Sequence, residues 1–424
     1  MNNNLKLLKP KMKDMKKHLR LFSLLLAFGM AFTFTACDDD EKDPDPIVVE
    51  DDNVIVKENI AENTTWTADN IYQLAGRITV LNGATLTIEP GTVIKGEMGT
   101  GANATALLVA RGGKLMAEGT AQLPIIFTTV GDEITPEDIV AGNYGSPNLD
   151  TDANGLWGGI LIMGKAPISA SNEAGDKTEV QIEGIPTSDP NGLYGGDDPE
   201  DNSGVIKYVS IRHGGTNIGA GNEINGLTLG GVGSKTVIEN IEVIANQDDG
   251  IEWFGGTVNV KNAVVWNVGD DAIDADQSWT GTLDNFVVIA PGDHNFELDG
   301  PEGSKDFGPY TIKNGVVVAN DLDLERYSSD LINTDDNTSV TMENIFFTAI
   351  EPGQMVNRVV HNVGTTTFTN IVLNVASEDL SSHIKGGVVP EGISAGSAPT
   401  NKAAIDLSVF GWTWAKQAGV IPTL

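Results

Sequence analysis

Apolar and polar residues alternate in short runs along most of the chain, and turns rich in Gly, Asn and Asp separate these runs. Alternation with a period of two is typical of β-strands that bury one face. From residue 238 onward one pattern recurs, in which an apolar residue, a variable residue and Asn precede an apolar run. The asparagines of this pattern are Asn240, Asn262, Asn285, Asn314, Asn344 and Asn370, which are separated by 22, 23, 29, 30 and 26 residues. A spacing of about 22 with loop-sized additions predicts a coil of three short strands per turn, which is a parallel β-helix.

The recurring asparagine has a physical role in such a coil. A tight bend between two strands needs a residue near the left-handed region of backbone space, which Asn tolerates. Stacked at the strand repeat of roughly 4.8 Å, successive amides can hydrogen-bond along the coil. An earlier copy of the pattern, at 206–211, has Tyr208 at the Asn position. A β-sandwich would explain the alternating strands but not a fixed Asn in every turn.

Composition and charge narrow the class of protein. The chain has 424 residues, of which 40% are hydrophobic, and this apolar content is sufficient for a sizeable core. Its single cysteine excludes a disulfide framework and any cysteine-rich zinc or iron–sulfur site. The formal net charge of −33 would repel phosphate, which argues against nucleic acid and anionic membrane surfaces as partners. It favours cations, or neutral polymers held by carboxylates.

The first 36 residues have the pattern of a secretory signal. Basic residues dominate residues 1–20, and an apolar run from Leu21 to Phe34 follows. This run is too short for a comfortable membrane span. The sequence Phe34-Thr35-Ala36-Cys37 resembles a lipobox, and the resemblance implies cleavage before Cys37 and diacylation of that residue. Dual acylation gives a stable membrane anchor.

The residues that follow Cys37 are acidic. Asp38-Asp39-Asp40-Glu41 resembles the tag that directs lipoproteins to the cell surface in some Gram-negative phyla. The segment 1–36 holds seven basic residues and one acidic residue, so its removal leaves a net charge of −39. We expect a signal peptide at 1–36, an extended acidic tether at 37–52 and a β-helix domain at 53–424. The expected location is the outer membrane, lipid-anchored at the cell surface.

The asparagine column resembles the asparagine ladder of the pectin-lyase-like right-handed β-helices. Residues 78–94, 107–120 and 124–128 resemble coils that are common in secreted β-helix proteins, and the likeness covers roughly 70–415. The chain is thus similar to β-helix lipoproteins of the Gram-negative cell surface. The resemblance implies an all-β fold, a single right-handed parallel β-helix with an asparagine ladder, loop insertions and a C-terminal cap. It does not specify an activity.

Three segments are expected to leave the regular coil. Residues 130–154 and 187–203 are rich in Gly, Pro, Asp and Asn, which predicts loops. The aromatic segment Val409–Trp414 is predicted to cap the last coil, since an uncovered strand end would pair with other chains. Ligand binding by Trp412 and Trp414 is the alternative for that segment.

Three consecutive coils repeat an acidic pattern at offsets of 22 and 23 residues, which match the spacing of the asparagines. Equal offsets predict three stacked columns: Asp248, Asp270 and Asp293; Asp249, Asp271 and His294; and Glu252, Asp274 and Glu297. Strand alternation places the neighbouring Ile251, Ile273 and Phe296 inward and the third column outward. Carboxylates stacked about 5 Å apart raise one another's pKa unless a cation or water separates them.

These columns are candidates for a Ca²⁺ site, because carboxylate oxygens at this spacing are natural ligands of that ion. The predicted ligands are Asp248, Asp249, Glu252, Asp270, Asp271, Asp274, Asp293 and Glu297. A second candidate is the run 150–155, in which Asp150, Asp152 and Asn154 match the first half of a calcium loop. Its twelfth position is Leu161 instead of a bidentate Glu, so an ordinary Asp/Asn/Gly turn is the alternative.

The same acidic face could instead carry acid/base catalysis. Its paired aspartates resemble a motif of the polygalacturonase-like hydrolases, and the resemblance implies Asp249, Asp271, Asp274 and His294 as catalytic residues. The chain departs from that family, since it has neither a Gly-His-Gly nor an Arg-Ile-Lys segment. No Lys or Arg lies between Lys261 and Lys305, so this stretch lacks the base that lyases of this fold need beside Ca²⁺.

The sequence therefore predicts a surface-anchored, Ca²⁺-stabilised protein with a non-catalytic role, namely binding of an extracellular polysaccharide, adhesion or an outer-membrane accessory function. A polysaccharide lyase or glycoside hydrolase that uses the acidic face at 248–297 is the alternative, and a purely structural stalk is a third. We expect a monomer that does not bind nucleic acid. A positive partner beside an acid of suitable pKa would favour the enzyme, whereas carboxylates without one favour binding.

Overall fold

The computed structural model of the protein describes residues 53–219, 222–321, 326–357 and 364–424. The expected signal sequence, Cys37 and the acidic tether lie outside the described residues. Within the part that is described, no helix has the length and apolar content needed to cross a membrane.

Short strands dominate the described chain. The first fifteen are β1 Asn53–Val56, β2 Thr64–Trp66, β3 Ile71–Leu74, β4 Arg77–Val80, β5 Thr85–Ile88, β6 Val93–Gly96, β7 Ala106–Val109, β8 Lys114–Glu118, β9 Ile125–Thr129, β10 Ile160–Met163, β11 Ala170–Asn172, β12 Gly175–Lys177, β13 Val180–Gln181, β14 Leu193–Tyr194 and β15 Gly204–Arg212. The others are β16 Leu227–Gly230, β17 Val237–Ile244, β18 Ile251–Phe254, β19 Asn259–Trp266, β20 Ile273–Asp276, β21 Thr282–Ile289, β22 Glu297–Leu298, β23 Tyr310–Val318, β24 Asn320–Asp321, β25 Arg326–Tyr327, β26 Asn333–Thr334, β27 Val340–Thr348, β28 Thr366–Thr369, β29 Ile371–Leu373 and β30 Ile393–Ala395. Two short helices are α1 Pro136–Val140 and α2 Trp414–Gln417, and the 3-10 segments are Gly101–Asn103, Pro190–Gly192, Leu380–His383, Lys402–Ala404 and Leu407–Phe410.

Two long sheets hold the coil together. The eight-stranded sheet has the order β26-β22-β20-β18-β16-β10-β7-β4. The sixteen-stranded sheet has the order β1-β3-β6-β9-β15-β17-β19-β21-β23-β27-β29-β30, with β2, β5, β8 and β28 beside this path. The pairings in both sheets are parallel. Parallel neighbours need long crossover connections, which the rest of each coil supplies, so the predicted parallel β-helix is confirmed.

The predicted asparagines occupy bends in the sixteen-stranded sheet, five of them inside long strands and Asn370 between β28 and β29. In chain order from Asn240 to Asn370 the six asparagines have φ angles of 59, 58, 62, 60, 55 and 57°. Tyr208, at the equivalent position of β15, has a φ of 51°. Before Tyr208 this strand pairs with β8, and after it with β9. Each bend therefore divides one long strand between two faces of the coil, as the sequence pattern predicted.

The asparagine amides form two separate runs of hydrogen bonds. Asn285 donates to Asn262 at 2.8 Å, and Asn262 donates to Asn240 at 2.9 Å. Two coils further on, Asn344 donates to Asn314 at 3.0 Å. The predicted ladder thus exists, but it is not continuous.

The ladder is interrupted between Asn285 and Asn314, and the 29-residue spacing does not explain the gap, because Asn314 and Asn344 are 30 residues apart and are hydrogen-bonded. Asn314 donates to the carboxylate of Asp284 at 2.7 Å instead of to the preceding asparagine. Asn285 exchanges hydrogen bonds with the backbone of Asp406, at 3.0 and 2.9 Å. The last member, Asn370, is exposed and forms no amide hydrogen bond with another ladder residue among the described residues.

A second column of bends was not predicted. His213, Ala245, Asn267, Ala290 and Ala349 have φ angles of 59, 54, 60, 46 and 53°. These residues lie just beyond strands β15, β17, β19, β21 and β27, where the chain leaves the sixteen-stranded sheet. Three of these five residues are alanines, a residue type that does not favour the left-handed region. The residue types in this column therefore do not reveal the bends in the sequence.

Aromatic and aliphatic side chains fill the interior of the coil. Trp253 stacks on Trp279 with ring centroids 4.5 Å apart. Phe296 lies edge-on to Phe286 at 5.8 Å and to Phe347 at 5.9 Å. All five side chains are essentially buried. The interior is therefore a packed apolar core, and polar chemistry is confined to the outer faces and the turns.

The insertions differ in extent from the predicted loops. Residues 130–154 do leave the coil and contain α1. The second excursion runs from the end of β10 to the start of β15, and it includes the antiparallel pairs β11–β12 and β13–β14. Its residues, among them Tyr194, pack on Leu161 and Phe254 on the outer face of the eight-stranded sheet. The predicted range 187–203 was too short. The paired strands of the insertion have the same alternation of apolar and polar residues as the strands of the coil, so the sequence did not distinguish them.

The C-terminal segment, residues 401–424, lies along the side of the coil. Phe410 and Ala415 pack on outward residues of the sixteen-stranded sheet, including Trp266 and Ile289. Trp412 is only 2% exposed and belongs to an apolar cluster with α1. The segment thus covers strand surface, as expected of a cap, but the surface is the apolar side of the coil instead of its last turn. These packing positions account for both tryptophans of Val409–Trp414 without a ligand.

Candidate functional site

Carboxylates from three consecutive coils meet at the edge of the eight-stranded sheet where the chain enters β18, β20 and β22. Glu252 pairs in register with Asp274, and Asp274 pairs with Glu297. The column faces away from the core, as predicted, because Ile251 beside Glu252 lies in the core. Glu252 is nevertheless only 6% exposed, and the amide of Asn225 donates to its carboxylate.

The turn before these strands carries a second column. The Oδ1 atom of Asp249 accepts the backbone N–H of Asp271 at 2.9 Å. The Oδ1 atom of Asp271 accepts the backbone N–H of His294 at 2.5 Å. Asp249 and Asp271 are 7% and 3% exposed. The structure therefore brings the sequence-predicted residues of both columns together, one coil apart.

Three groups of these side chains each place one ligand atom per residue within 4.8 Å of the others. The outer group is Asp248, Asp249 and Asp270; the inner group is Asp249, Glu252 and Asp274; the histidine group is Asp271, Asp293 and His294. Oxygen ligands lie about 2.3–2.6 Å from a bound Ca²⁺, so two of them can be at most about 5 Å apart. The spacing in the outer and inner groups fits this limit.

The histidine group contains its own positive charge. His294 Nδ1 lies 2.9 Å from Asp271 Oδ1, and Nε2 lies 3.5 Å from Asp293 Oδ1. Burial lowers the pKa of His294, but the hydrogen bond and charge of Asp271, with the charge of Asp293, outweigh this and raise the pKa to about 9. Burial also opposes ionisation of Asp271, yet hydrogen bonds with His294 and Glu297 hold its pKa below the usual value. A protonated His294 supplies the positive charge of this group itself and cannot act as a metal ligand.

The outer group has no such partner. Burial, followed by the charges of Asp270 and Glu183, raises the pKa of Asp248 to about 7. Partial desolvation and the charge of Asp271 raise the pKa of Asp270 to about 6. These shifts mean that the group retains protons near neutrality when no cation is bound, because proximity of like charges opposes ionisation.

The inner group is more deeply buried. Burial raises the pKa of Asp249, Glu252 and Asp274 well above the usual range, and the neighbouring carboxylates add to the effect. Asn225 is 3% exposed, and its Oδ1 atom has no hydrogen-bond partner among the described residues. An oxygen without a partner beside three carboxyl groups is compatible with either a protonated carboxyl donor or a cation.

Basic side chains stay away from these groups. Among the described residues, the ion pairs of Lys and Arg involve Asp189, Glu179, Glu239, Glu242, Glu200, Asp284 and Asp152, none of which belongs to the three groups. The outer and inner groups therefore offer oxygen ligands of the type that Ca²⁺ prefers, without a competing ammonium or guanidinium.

The loop of the second calcium candidate has other partners. The guanidinium of Arg326 lies 3.4 Å from the Asp152 carboxylate. The amide of Asn267 donates to the Thr151 carbonyl at 2.8 Å and to Asp152 at 3.2 Å. These contacts fix the loop to the second column of bends, and they favour the turn alternative for residues 150–155.

Four residues near the site were missed by the sequence analysis. Glu183 and Glu223 add negative charge, and burial followed by the charge of Glu223 raises the pKa of Glu183. Asn225 contacts Glu252, and the Asn333 amide lies 3.1 Å from His294 Nε2. Glu183, in the insertion, and Glu223, in the connection before β16, carry no spacing relation to the acidic repeat. Asn225 precedes Asp249 by 24 residues, which is the offset of the β16–β18 register, and Asn333 in β26 pairs with Glu297. The 24-residue offset of Asn225 could have identified that residue from the sequence, whereas the other three required the tertiary fold.

The arrangement permits two kinds of chemistry. Oxygen-only ligands in the outer and inner groups can bind a divalent cation. Alternatively, Glu297 and Asp271 form a pair with opposite shifts, since burial and the Asp271 hydrogen bond raise the pKa of Glu297 to about 9. Two neighbouring carboxyl groups with separated pKa values are a pattern of acid/base catalysis.

Comparison with known proteins agrees with the geometry of the coil. The family model described as a pectate-lyase-like β-helix domain matches residues 58–413. A search of curated proteins and a search of solved structures found no match. The match spans nearly all of the described coils and most of the chain. The protein therefore belongs to the family of pectate-lyase-like β-helix domains.

Proposed function

We propose that the protein is a lipid-anchored cell-surface module that binds Ca²⁺ through the acidic edge of its eight-stranded sheet and holds an extracellular polysaccharide without cleaving it. The observation that carries the proposal is the outer group, Asp248, Asp249 and Asp270, whose ligand atoms lie within 4.8 Å of one another. The raised pKa values of these residues mean that ionisation is unfavourable without a cation.

The outer group is a better Ca²⁺ site than its neighbours. Asp270 is exposed and Asp248 half-buried, so water can complete the six to eight oxygen ligands that Ca²⁺ requires. The inner group is buried more deeply, and dehydration of the ion there is more costly. The histidine group already contains an imidazolium. These differences favour one primary ion at the outer group.

The location of the outer group supports polymer binding. The group lies at the edge of a sheet that continues through several coils, and it is open to solvent at Asp270. A partly hydrated Ca²⁺ can exchange water for sugar hydroxyl oxygens. The resemblance of Phe34–Cys37 to a lipobox supports an anchor that keeps this surface outside the outer membrane. A stalk without ligand would not need the unneutralised carboxylates.

Calorimetric titration of Ca²⁺ into metal-free protein tests the cation site, with thermal melting as a second readout. The double variant Asp248→Asn/Asp270→Asn should lose binding. Saturation at a hundredfold excess over Kd should stabilise the parent by about 2.7 kcal/mol. The matched control Glu118→Gln/Glu137→Gln removes two exposed carboxylates elsewhere and should behave like the parent. Identical heats for the parent and the Asp248/Asp270 variant would refute the site.

The pair Asp271–Glu297 favours one alternative, a polysaccharide lyase or glycoside hydrolase. Its opposite pKa shifts provide a base and a protonated acid beside His294. Incubation of the protein with a polysaccharide panel, read by release of reducing ends and by absorbance of unsaturated products, separates the two functions. We expect binding without release. Release that Glu297→Gln abolishes, with Ca²⁺ binding retained, would establish the enzyme instead.

A further inference from the structure

A cavity of about 330 Å³ lies at the opposite edge of the eight-stranded sheet from the acidic groups. Asn82, Arg111 and Lys165 line it, and each follows its strand, β4, β7 or β10, by two residues. These strands are neighbours, with Val80 opposite Val109 and Val109 opposite Ile162. Three consecutive coils therefore contribute equivalent turn positions to one pocket, and two of these positions carry positive charge.

The two cations differ in how they are neutralised. The Arg111 guanidinium lies 2.7 Å from Glu179 and donates to the Gly195 carbonyl at 2.9 Å. Lys165 is half-buried, and within the described chain its ammonium forms no ion pair and donates no hydrogen bond. Both side chains line the same pocket, so the ammonium shares this space with a second cation. An unpaired ammonium beside a guanidinium is unusual in a chain of net charge −33.

A glycine holds two of the pocket side chains in place. Gly112 has a φ of +83°, and a Cβ atom there would lie 3.1 Å from Lys165 Nζ and would overlap the Asn82 amide oxygen. Gly195 and Gly196, from the insertion between β10 and β15, also line the pocket. Gly112 therefore lets the Asn82 and Lys165 side chains approach the backbone, where a larger residue would displace them from the pocket.

We propose that this pocket binds a compact, polyhydroxylated carboxylate, with the carboxylate held by Lys165 and Arg111. A volume of about 330 Å³ is at the lower end for ligand pockets, which limits the occupant to about one ring. The Asn82 amide can pair with hydroxyl groups. Glu179 and Asp197 on the rim repel a dianion such as phosphate, so a monoanion is favoured. This site does not depend on the Ca²⁺ site.

Calorimetric titration of the full-length protein in EDTA tests the proposal, with glucuronate as the probe. Glucose lacks the carboxylate and inorganic phosphate lacks the ring. Glucuronate should bind saturably, and the other two probes should bind at least tenfold more weakly, a difference of about 1.4 kcal/mol. Saturable binding of phosphate as tight as that of glucuronate, or no saturable binding of glucuronate, would overturn the proposal.

Variants assign the binding to the pocket. Lys165→Gln should weaken glucuronate at least about tenfold, because a charge-assisted hydrogen bond is lost. Asn82→Asp changes an exposed side chain, so folding is preserved, and its added negative charge should also weaken glucuronate. The control Lys235→Gln removes an exposed lysine that is paired with Glu200, and it should bind like the parent. Unchanged affinity in both pocket variants would overturn the proposal.

Discussion

At the scale of single residues, the ladder asparagines combine a backbone role with a side-chain role. Asn262 has a φ of 58°, which few side chains tolerate, and its amide both donates to Asn240 and accepts from Asn285. Asn370 has nearly the same φ of 57° but is exposed and outside the runs of amide hydrogen bonds. Comparing substitutions at Asn262 and Asn370 therefore separates the stability lost with the amide hydrogen bonds from the stability lost by changing the residue at a left-handed bend.

We predict that Asn262→Gly destabilises the protein by about 1–3 kcal/mol, the usual cost of leaving buried polar groups without a partner. Glycine keeps the left-handed bend accessible, so the loss reports on the amide. Denaturant unfolding of the parent and the variant measures the difference. Asn370→Gly is the matched control and should change stability by only a few tenths of that amount. Equal effects of the two substitutions would contradict the role of the ladder.

The outer carboxylates give the metal-free protein a defined pH dependence. The folded-state pKa is raised to about 7 for Asp248 and to about 6 for Asp270, above the usual value of 3.8. Between the unfolded and folded values the folded state therefore binds more protons than the unfolded state. Stability from these groups is present at acid pH and is lost as the pH rises through their folded-state pKa values.

We predict that the melting temperature of the protein in EDTA falls between pH 5 and pH 8. In Asp248→Asn/Asp270→Asn this fall should be smaller, because amides do not titrate. The double variant Glu118→Gln/Glu137→Gln corrects for the change in net charge and should retain the parental slope. If the melting temperature of the Asp248/Asp270 variant fell with pH as steeply as that of the parent, other titrating groups would be responsible for the pH dependence. Ca²⁺ should raise the melting temperature more at pH 8 than at pH 5.

At the scale of elements, large and small residues alternate between paired strands. Phe286 in β21 lies opposite Gly315 in β23, where neighbouring coils have larger residues such as Ile345. A Cβ atom on Gly315 would overlap the ring of Phe286, which is 1% exposed and held edge-on by Phe296. Gly315 is therefore needed because it leaves space for the Phe286 ring, and its backbone conformation does not itself require glycine.

We predict that Gly315→Ala destabilises the protein by about 1–3 kcal/mol, the usual cost of an overfilled core. Thermal or denaturant unfolding measures the loss. The double variant Phe286→Leu/Gly315→Ala should recover part of it, because the smaller side chain frees the space. As a control, Gly131→Ala should be nearly neutral, since its Cβ would lie 3.8 Å from the nearest atom. No recovery in the double variant would mean that the ring is not the obstacle.

At the scale of the whole molecule, the C-terminal segment joins distant coils. The backbone N–H of Ala415 donates to Glu242 at 3.0 Å, and the Trp414 ring lies 5.1 Å from the Arg212 guanidinium. Glu242 and Arg212 are 0% and 1% exposed, and the Ser210 hydroxyl bridges them at 2.6 and 2.8 Å. The segment thus covers a paired charge on the outer face as well as the apolar side of the coil.

The proposed anchor makes a prediction for the whole protein in the cell. Cys37→Ala should release the protein from the membrane fraction or leave it unprocessed, because the proposed acylation site is removed. Detergent-free fractionation followed by immunoblotting measures this. Asn370→Gly, which leaves the N-terminal region unchanged, should fractionate like the parent. Unchanged membrane association of Cys37→Ala would exclude the lipid anchor.

Regular spacing made much of the coil predictable from the sequence. The six asparagines mark positions where the backbone must be left-handed, and few residue types satisfy that requirement, so the bends were identified without coordinates. The equal offsets of the acidic repeat likewise predicted that Glu252, Asp274 and Glu297 would stack, because each coil advances the chain by one strand spacing. Local chemistry and periodicity were sufficient for these features.

Contacts between segments far apart in the chain were decided only by the tertiary structure. Arg326 pairs with Asp152, although no sequence spacing relates these partners. The C-terminal segment lies along the side of the coil instead of its end because apolar residues on several strands form one surface only after folding. The Lys165 ammonium, which forms no ion pair within the described residues, likewise shares a pocket with Arg111 only because three coils stack. The sequence alone determines which residues repeat and at what spacing. Which side chains are buried, and which charged groups are paired, depends on the neighbours that the tertiary fold gives them.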